Sequence, residues 1–387
     1  MKKLVRITTV PMSLKFLITD QMRYMKSHDW DVTMMSADGQ EREEVIQREK
    51  CAHIIIPLTR KITPIADLKA LIILIKELRV MKPNIVHTHT PKAGLIGMLA
   101  SRVAGVPHRI HTVAGLPLHA AVGNKKRLLV WIEKLTYYCA NQVWPNSNSL
   151  YEYIIDNKFT VKSKIKVIGK GSSNGIDIKE FDVDSLDETI LESIKDKINY
   201  QEGLQYLLFV GRVVRDKGIE ELVTVFEQIK NTYPNLRLVL VGPLESELDP
   251  LDSKITAIIE DNKEIITVGF SNHVKYYMHL ADLFVFPSHR EGFPNVPMQA
   301  ALMNCPVVAS AITGNVDIID HNMNGLLHEK GNISDLKYCV EYALNNKEQM
   351  AILAGKLRTK ILNNFDRRHM HQLILKEYES CISKTKN

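Results

Sequence analysis

A loop between a short apolar run and a predicted helix contains side chains that are suited to chemistry. The apolar run is 283–286, and the loop after it contains two prolines, Glu291 and Asn295 before a helix predicted over 296–304. In parallel α/β sheets, ligands bind just beyond the carboxyl ends of the strands. The first N–H groups of a helix and its positive dipole end suit a phosphate. The loop therefore predicts a phosphate-containing ligand, with an ordinary strand-to-helix connection as the alternative.

Basic side chains follow another predicted strand, 206–210, in the same half of the chain. Gly211 comes first and permits close approach of the backbone to a ligand, and Arg212 and Lys217 follow it. A forked guanidinium and a compact ammonium group suit a diphosphate. This turn is therefore predicted to bind a diphosphate, the alternative being two ordinary surface charges.

The turn after the first predicted strand lacks the glycines of a dinucleotide-binding site. Residues 8–15 read TTVPMSLK, whereas NAD- and FAD-binding folds need GxGxxG at this position. The chain also contains no Walker lysine loop. Enzymes that depend on nicotinamide or flavin are therefore not expected, and the sequence predicts neither a cofactor nor a nucleic-acid partner.

Short apolar runs alternate with helical patterns in both halves of the chain. The predicted strands are 4–9, 31–36, 53–57, 85–89, 108–112, 142–145, 206–210, 237–241, 265–268, 283–287 and 306–310. The predicted helices are 14–27, 65–81, 92–104, 125–140, 217–231, 251–261, 273–280, 296–304 and 334–345. Strands separated by helices of about 10–15 residues indicate βαβ units and parallel sheets. We therefore predict an α/β fold with two doubly wound lobes that are joined by a hinge and face a cleft.

The boundary between the lobes is predicted at 169–175, a segment rich in glycine, serine and asparagine without apolar periodicity. The first lobe would then cover residues 1–170, with a linker over 171–200 and the second lobe over 201–364. The tail from about 347 to 383 is helix-compatible throughout its length.

Composition restricts the class of protein and its compartment. The chain has 387 residues, of which 45% are apolar and 24% charged, as in globular proteins. Its five cysteines are scattered without a CxxC pair, which argues against disulfides and a zinc site and favours a reducing compartment. The longest apolar run, 70–75, is far shorter than the roughly 20 residues of a membrane span. We therefore expect a cytoplasmic protein.

Positive charge is concentrated in the first half. Residues 1–168 contain 26 lysines and arginines and 13 acids, a formal charge of +13, whereas the remainder carries −7. The predicted helix at 124–140 places Lys125, Lys126 and Arg127 beside leucines and a tryptophan. This pattern is typical of a segment that lies on an anionic membrane, here the inner face of the cell membrane. The alternative is a surface helix of the lobe with its leucines in the core.

The ordered set of motifs resembles the family 4 glycosyltransferases, which are retaining, nucleotide-sugar-dependent enzymes of the GT-B fold. The set consists of GRxxxDKG at 211–218, VGP at 241–243, VGF at 268–270 and PSxxEGFPNVxxxA at 287–300. It is most similar to the branch that builds bacterial capsule, exopolysaccharide and O-antigen. The resemblance implies two Rossmann-like lobes, the first for the acceptor and the second for the nucleotide-sugar. It also implies that a C-terminal helix at about 365–387 packs back on the first lobe.

The activity that this resemblance implies is sugar transfer without a metal ion. The donor would be a nucleotide-sugar, with a UDP-sugar favoured, and the acceptor a polyprenyl-diphosphate-linked sugar or an oligosaccharide. Two alternatives remain open at this point. One is a nucleotide-sugar 2-epimerase, which shares the two-lobed architecture, and the other is a catalytically weakened partner subunit that binds a sugar nucleotide.

Residue by residue, the resemblance implies that Arg212, Lys217 and Glu291 form the catalytic set. Arg212 and Lys217 would hold the diphosphate and stabilise the leaving group, and Glu291 would contact the donor sugar's hydroxyls. The second acid of the family's motif falls on Gln299, which is a departure from the pattern. The complete donor-binding set would be Gly211, Arg212, Lys217, Gly292, Phe293, Asn295, Val296 and Gln299.

A second departure lies in the first lobe. Many relatives have a histidine in a turn near the acceptor, and the matching position here is Ala114. His111 lies three residues earlier, and His89 ends the preceding predicted strand. The sequence therefore makes His89 and His111 the acceptor-side candidates, with buried structural histidines as the alternative.

Overall fold

The computed structural model describes residues 1–61, 63–245 and 249–384. Their contacts divide the chain into two compact units, each described below by itself. The first unit contains Met1–Gly175 and the C-terminal segment that begins at Arg367, and the second unit is Ile176–Asp366. The last three residues of the segment predicted to pack on the first lobe lie outside the described residues.

The first unit alternates strands and helices along the chain. Its strands are β1 (Lys2–Ile7), β2 (Trp30–Ser36), β3 (Ala52–Ile55), β4 (Ile85–His89), β5 (His108–Val113) and β6 (Gln142–Pro145). Its helices up to the boundary are α1 (Pro11–Leu17), α2 (Gln21–Lys26), α3 (Arg42–Glu49), α4 (Pro64–Met81), α5 (Pro91–Val103), α6 (Gly123–Cys139) and α7 (Asn148–Asp156). Over the described residues the strands form one parallel sheet in the order β3-β2-β1-β4-β5-β6.

The second unit repeats this architecture. Its strands are β7 (Gln205–Val210), β8 (Leu236–Val241), β9 (Ile265–Gly269), β10 (Leu283–Phe286), β11 (Val307–Ser310) and β12 (Leu326–His328). Its helices are α8 (Glu188–Lys197), α9 (Ile219–Ile229), α10 (Ser253–Asp261), α11 (Val274–Leu280), α12 (Asn295–Leu302), α13 (Asn315–Ile318), α14 (Ile333–Asn345) and α15 (Lys347–Asn364). The described strands form a parallel sheet in the order β12-β11-β10-β7-β8-β9. The predicted doubly wound α/β class is therefore confirmed for both lobes.

Helix spacing explains why these segments pack as they do. In α9 the apolar side chains recur at three- and four-residue intervals, and Ile219, Leu222, Phe226 and Ile229 are all completely buried. In the first unit, side chains from α4 to α7 form one apolar cluster, and those from α1 to α3 form another with the final helix α16 (Arg367–Lys384). The strands alternate between the two clusters, so helices cover both faces of the sheet.

A buried polar chain fastens α16 to the sheet of the first unit. The guanidinium of Arg6 on β1 donates a 2.9 Å hydrogen bond to the hydroxyl of Tyr378, and that hydroxyl lies 2.6 Å from Nδ1 of His87. The other ring nitrogen of His87 lies 2.7 Å from the hydroxyl of Thr112. Burial lowers the pKa of Arg6 and of His87, because water no longer solvates their charged forms.

Two predictions about the elements need correction, and one strand was not predicted. The tail is not one continuous helix, because α15 ends at Asn364 and the backbone of Ile176 then bonds to the carbonyl of Phe365 before α16 begins. The helix predicted over 14–27 is two helices, separated near Asp20, whose backbone is left-handed. Residues 326–328 form an edge strand that the periodicity did not indicate, because three residues are too few to show alternation.

Residues of the proposed linker are also partly helical. Within 171–200, α8 buries Leu191 and Ile194 in the core of the second unit.

Over the described residues, none of the helices combines the length and the apolar character that crossing a membrane requires.

The buried histidines of the first unit predict a loss of stability in acid. Burial lowers the pKa of His87 and His89 well below the ordinary value and that of His111 to about 3. Below about pH 6.5 the unfolded chain therefore binds protons that the folded unit does not, and stability falls as the pH drops toward 3. We expect thermal unfolding midpoints that decrease between pH 7.5 and 5, and a shallower decrease in His111→Asn.

A matched control separates titration from packing. Thr88→Val removes the hydroxyl that lies 2.8 Å from His111 Nδ1 but leaves the histidine in place. It should lower the midpoint at every pH while keeping the wild-type slope. Identical slopes in wild type and His111→Asn would contradict this explanation.

Candidate functional site

The candidate site of the second unit lies where its sheet changes direction of winding. Strands β7 and β10 are neighbours in the sheet and run parallel. The chain leaves β7 toward β8 on one side, whereas β10 continues to β11 on the other. Such a topological switch point opens a crevice at the carboxyl ends of the strands and is the common ligand site of this architecture. The two motifs identified from sequence follow these two strands.

The ion pair between Lys217 and Glu291 joins the two motifs. Lys217 ends a single 3₁₀ turn at 215–217, and its ammonium group contacts Oε1 of Glu291 in the loop after β10. The hydroxyl of Ser288 donates a 2.9 Å hydrogen bond to the same oxygen. Both charged side chains are about 15% exposed, so their charges interact through a medium less screened than bulk water.

Further contacts hold the loop after β10 against the turn after β7. The N–H of His289 donates to the carbonyl of Asp216, and the guanidinium of Arg290 lies 2.9 Å from the Asp216 carboxylate. The imidazole of His289 lies 2.7 Å from a carboxylate oxygen of Glu221, on the first turn of α9. This hydrogen bond raises the pKa of His289. The loop and the turn are therefore one hydrogen-bonded assembly.

Arg212 occupies a different part of the turn. Its guanidinium is 2.9 Å from a carboxylate oxygen of Glu245, and both side chains are more than a third exposed. An exposed pair of this kind contributes little to stability, so a diphosphate could replace Glu245 as the partner of Arg212 at small cost. The structure thus brings Lys217 and Glu291 into contact and leaves Arg212 paired elsewhere.

Of the other residues predicted to bind the donor, Gly211 directly follows β7, and the rest lie just before α12 or within its first turns. Gly292 and Phe293 are buried, and the Phe293 ring packs 5.3 Å from that of Phe365, so its backbone rather than its side chain is suited to a ligand. Asn295 and Val296 are the first two residues of the helix, where N–H groups have no intrahelical partner. Gln299 follows in the next turn and is half-buried. The first turn of α12 contains no acid, which suits an anionic ligand.

The first unit has a switch point of its own, between β1 and β4. The hydroxyls of Thr9 and Thr90, one after each strand, lie 2.8 Å apart. Thr90 has a φ of 83°, which is rare for a β-branched residue. His89 precedes it, is 1% exposed, and neither of its ring nitrogens has a hydrogen-bond partner among the described residues. Strain beside an unpartnered buried imidazole is typical of a functional site.

The other histidine candidate, His111, lies inside the unit. It is 2% exposed, its Nδ1 bonds to Thr88, and its ring lies where a side chain on Gly94 of α5 would be. This environment is that of a structural histidine. Of the two acceptor-side candidates, the structure places His89 at the switch point and His111 away from it.

Sequence reasoning missed three residues of the site. Ser288 contacts Glu291. Glu221 contacts His289, and Glu245 contacts Arg212. No role was predicted for these three partners. A signal existed for Ser288, since it directly follows a predicted strand beside the motif acid. The two acids gave none, because their partners are 68 and 33 positions away.

Two doubly wound units of parallel sheet, with basic side chains and an acid at the switch point of the second, have the architecture of the GT-B class. The family description "Glycosyl transferases group 1" matches residues 190–360, and "Glycosyl transferase 4-like domain" matches residues 17–171. The chain belongs to the family 4 glycosyltransferases.

Individual relatives agree with this assignment. The chain is 33% identical over 384 residues, 99% of its length and 97% of the other, to a Staphylococcus aureus protein named capsular polysaccharide biosynthesis glycosyltransferase CapM. It is 26% identical, over 89% of this chain and 88% of the other, to an Escherichia coli enzyme named UDP-Gal:alpha-D-GlcNAc-diphosphoundecaprenol alpha-1,3-galactosyltransferase. These names do not favour the 2-epimerase or the weakened subunit.

A solved structure shows the same fold. The glycosyltransferase from Rickettsia africae superposes with a TM-score of 0.81 at 19% identity, covering 98% of this chain and 99% of that one. The GT-B architecture implied by the motifs is therefore confirmed.

Gly218 packs closely against the loop after β10, so a substitution there tests whether the loop depends on its contact with the turn. Gly218 has a φ of 72°, and a side-chain carbon there would lie 2.2 Å from the carbonyl oxygen of Pro287. Gly218→Ala should therefore cost the roughly 1–2 kcal/mol of a left-handed alanine plus about 1–3 kcal/mol for displacing the loop. The free energy of unfolding from urea denaturation measures both.

Gly203→Ala is the matched control. Gly203 has a φ of 87°, and a side-chain carbon there would meet nothing within 4 Å. This variant should show the conformational cost alone. Equal losses in the two variants would mean that the loop does not depend on its contact with the turn.

Proposed function

We propose that this enzyme transfers a sugar, with retention of configuration, from a UDP-sugar to a polyprenyl-diphosphate-linked acceptor in surface polysaccharide assembly. The observation that carries the proposal is the contact of Lys217 with Glu291 at the switch point of the second unit. A diphosphate-binding group and a sugar-binding group meet there. The names of the E. coli and S. aureus relatives support the donor, the acceptor class and the pathway type.

In this proposal the donor lies along the carboxyl ends of β7 and β10. Arg212 and Lys217 bind the diphosphate, together with the N–H groups at the start of α12. Glu291 accepts hydrogen bonds from hydroxyls of the donor sugar. Gln299 contacts the ribose, where its amide oxygen accepts and its amide nitrogen donates. Because Gln299 is neutral, this contact lacks the charge assistance of a carboxylate, a difference of about 1–2 kcal/mol.

The chemistry requires positioning and charge stabilisation more than a protein base. In front-face displacement the bond from the sugar's anomeric carbon to the diphosphate breaks, and a bond from the same face to the acceptor oxygen forms. The acceptor's proton passes to the leaving diphosphate. The protein orients both substrates and neutralises the developing negative charge. We propose that Arg212, Lys217 and the start of α12 supply this neutralisation without a metal ion, so that excess chelator leaves turnover unchanged.

Lys217→Ala should lower turnover by orders of magnitude, because the leaving diphosphate loses its half-buried cation. The loss of the pair with Glu291 should cost about 1–3 kcal/mol of stability, so the fold should persist. Release of UDP from UDP-galactose with a diphosphate-linked GlcNAc acceptor measures turnover, and thermal unfolding measures the fold.

Lys347→Ala is the control, since Lys347 pairs with Asp282 in the same unit, away from the switch point. It should keep wild-type turnover. Near-normal turnover in Lys217→Ala would remove Lys217 from the catalytic set. A thermal-shift screen of UDP- and GDP-sugars tests the donor, because binding raises native stability in proportion to affinity. Stabilisation by GDP-sugars alone would refute the UDP assignment.

The acceptor is assigned to the switch point of the first unit. His89 is the residue best placed to contact it, because its buried ring nitrogens have no partner among the described residues. Burial holds the pKa of His89 well below the ordinary value, so the ring is neutral and each nitrogen has a defined role, one donating and one accepting. Such a ring could orient the acceptor hydroxyl.

Exposed apolar side chains support attachment to an anionic membrane. On α6, Leu128 is 50% and Trp131 62% exposed beside the exposed Lys125, Lys126 and Arg127, whereas Leu129 packs against the core. The predicted alternative, with the leucines in the core, therefore fits only part of the helix. The same sheet face carries α4, whose exposed apolar residues recur at helical spacing; they are Ile65, Leu68 and Ile72. A basic and apolar surface of this kind suits anionic lipid.

We expect the protein to float with vesicles that contain phosphatidylglycerol, and to be released by salt. The double variant Leu128→Glu with Trp131→Glu should abolish flotation, because it removes the apolar contacts and adds repulsion. Ile352→Glu is the control, since Ile352 is 54% exposed on α15 of the second unit. Loss of binding in this control as well, or salt-independent binding by wild type, would contradict a specific surface on the first unit.

A further inference from the structure

A chain of buried hydrogen bonds runs behind Glu291. The side-chain amide of Asn315, on α13, donates a 2.9 Å hydrogen bond to the carbonyl of Ser310 at the end of β11. The hydroxyl of Ser310 donates to the carbonyl of Ser288, and the hydroxyl of Ser288 donates to Oε1 of Glu291. Asn315, Ser310 and Ser288 are all completely buried.

The backbone of the same segment also touches the loop. Gly314 has a φ of 85°, and a side-chain carbon there would lie 2.4 Å from the carbonyl oxygen of Gly292. Residues 310–315 therefore support the loop after β10 through both hydrogen bonds and close contact. Since β10 and β11 are paired in the sheet, this support is anchored in a rigid element.

Glu291 needs such support because lysine alone does not fix its direction. An ammonium group is a compact charge on a flexible stem, and it attracts a carboxylate in many orientations. A buried serine hydroxyl gives a directional bond from one side. With both donors on Oε1, no hydrogen bond to Oε2 is formed within the described part of the chain. Oε2 is then the atom that can accept from a ligand.

We propose that Ser288, held in place by Ser310 and Asn315, is a positioning residue that aims Oε2 of Glu291 at a hydroxyl of the donor sugar. The inference rests on the proposed sugar-binding role of Glu291 and deepens it. Ser288 does not touch the sugar in this arrangement. It acts by holding the carboxylate in the one orientation that a bound sugar needs, which lowers the cost of ordering it during binding.

Crystal structures of ligand-free variants test the positioning itself. In Ser288→Ala the carboxylate of Glu291 should leave its place beside Lys217 or occupy several orientations, and in Ser288→Thr, which keeps the hydroxyl, it should stay. Ser310→Ala is a second test, needed if Ser288→Thr does not fold. It should displace the Glu291 carboxylate indirectly, because the Ser288 carbonyl loses its hydrogen bond and shifts. A carboxylate that stays in place in both alanine variants would overturn the proposal.

Binding measurements then test the consequence for the sugar. The probes are UDP and the UDP-sugar that stabilises wild type most in the thermal-shift screen, each titrated by calorimetry. Ser288→Ala should weaken the UDP-sugar by about 3- to 10-fold, the range for loss of one hydrogen bond, and leave UDP unchanged. In a Glu291→Gln background it should have an effect of less than about twofold. Equal weakening of UDP and UDP-sugar would mean a merely structural role and would overturn the proposal.

The control is Thr224→Val, which removes a half-buried hydroxyl that bonds to the helix backbone of α9. This variant should leave the affinities for UDP and for the UDP-sugar unchanged. The sugar-binding role of Glu291 and its positioning by Ser288 are tested separately. If Glu291→Gln leaves UDP-sugar affinity unchanged while Ser288→Ala displaces the carboxylate, the sugar-binding role of Glu291 is wrong and its positioning by Ser288 stands.

Discussion

The ion pair of Lys217 with Glu291 is the interaction on which the candidate site of the second unit depends. It joins two loops that leave neighbouring parallel strands, and no local rule keeps these loops together. A lysine and a glutamate that are both about 15% exposed lose hydration when they are buried, and they recover this loss only with good geometry and further hydrogen bonds. The Ser288 hydroxyl supplies such a bond to Glu291. His289 and Arg290 bond instead to groups of the turn and of α9, and these contacts hold the loop in place. The charged residues that would bind a ligand are thus also the residues that hold the site together.

This arrangement has a consequence for how a ligand enters. Before a ligand binds, each basic side chain predicted to bind the diphosphate already has an acid partner. Lys217 is paired with Glu291, and Arg212 is paired with Glu245. The two pairs differ in exposure, so they should differ in how readily they open. Arg212 can exchange its exposed partner for a phosphate at little cost. Because the Lys217–Glu291 pair is less exposed, we expect it to stay intact while Lys217 binds the diphosphate beside Glu291. In the proposed donor complex the site would therefore be preorganised where Glu291 meets the sugar and adaptable where Arg212 meets the phosphate.

The first unit also buries polar side chains, but the described partners of Arg6 and His87 there are neutral groups and not acids. Arg6 has no acid partner among the described residues and is satisfied in part by the Tyr378 hydroxyl, and the buried histidines are held neutral by the low polarity around them. These groups fix α16, which begins only after the second unit is complete. Folding of the first unit must therefore include chain that follows the whole second unit.

The sequence by itself determined the class of fold, the two lobes and the two motifs of the candidate site. Apolar runs and helical spacing are local signals, and two motifs of 8 and 14 residues, at 211–218 and 287–300, place Arg212, Lys217 and Glu291 at strand ends. It also marked His89 and the basic helix α6. The strand ends and the basic helix depend on neighbours in the chain, so composition and spacing suffice to find them, whereas His89 was singled out by the resemblance to a family.

Only the tertiary structure decided which of these residues work together. The Lys217–Glu291 pair spans 74 positions and the bond from Ser310 to Ser288 spans 22, and their spacing follows no helical or strand period. The interruption at 365–366 arises from a bridge to Ile176, and the difference between His89 and His111 arises from packing against α5. Contacts distant in the chain leave no periodic trace, because they are set by how strands are ordered in the sheet.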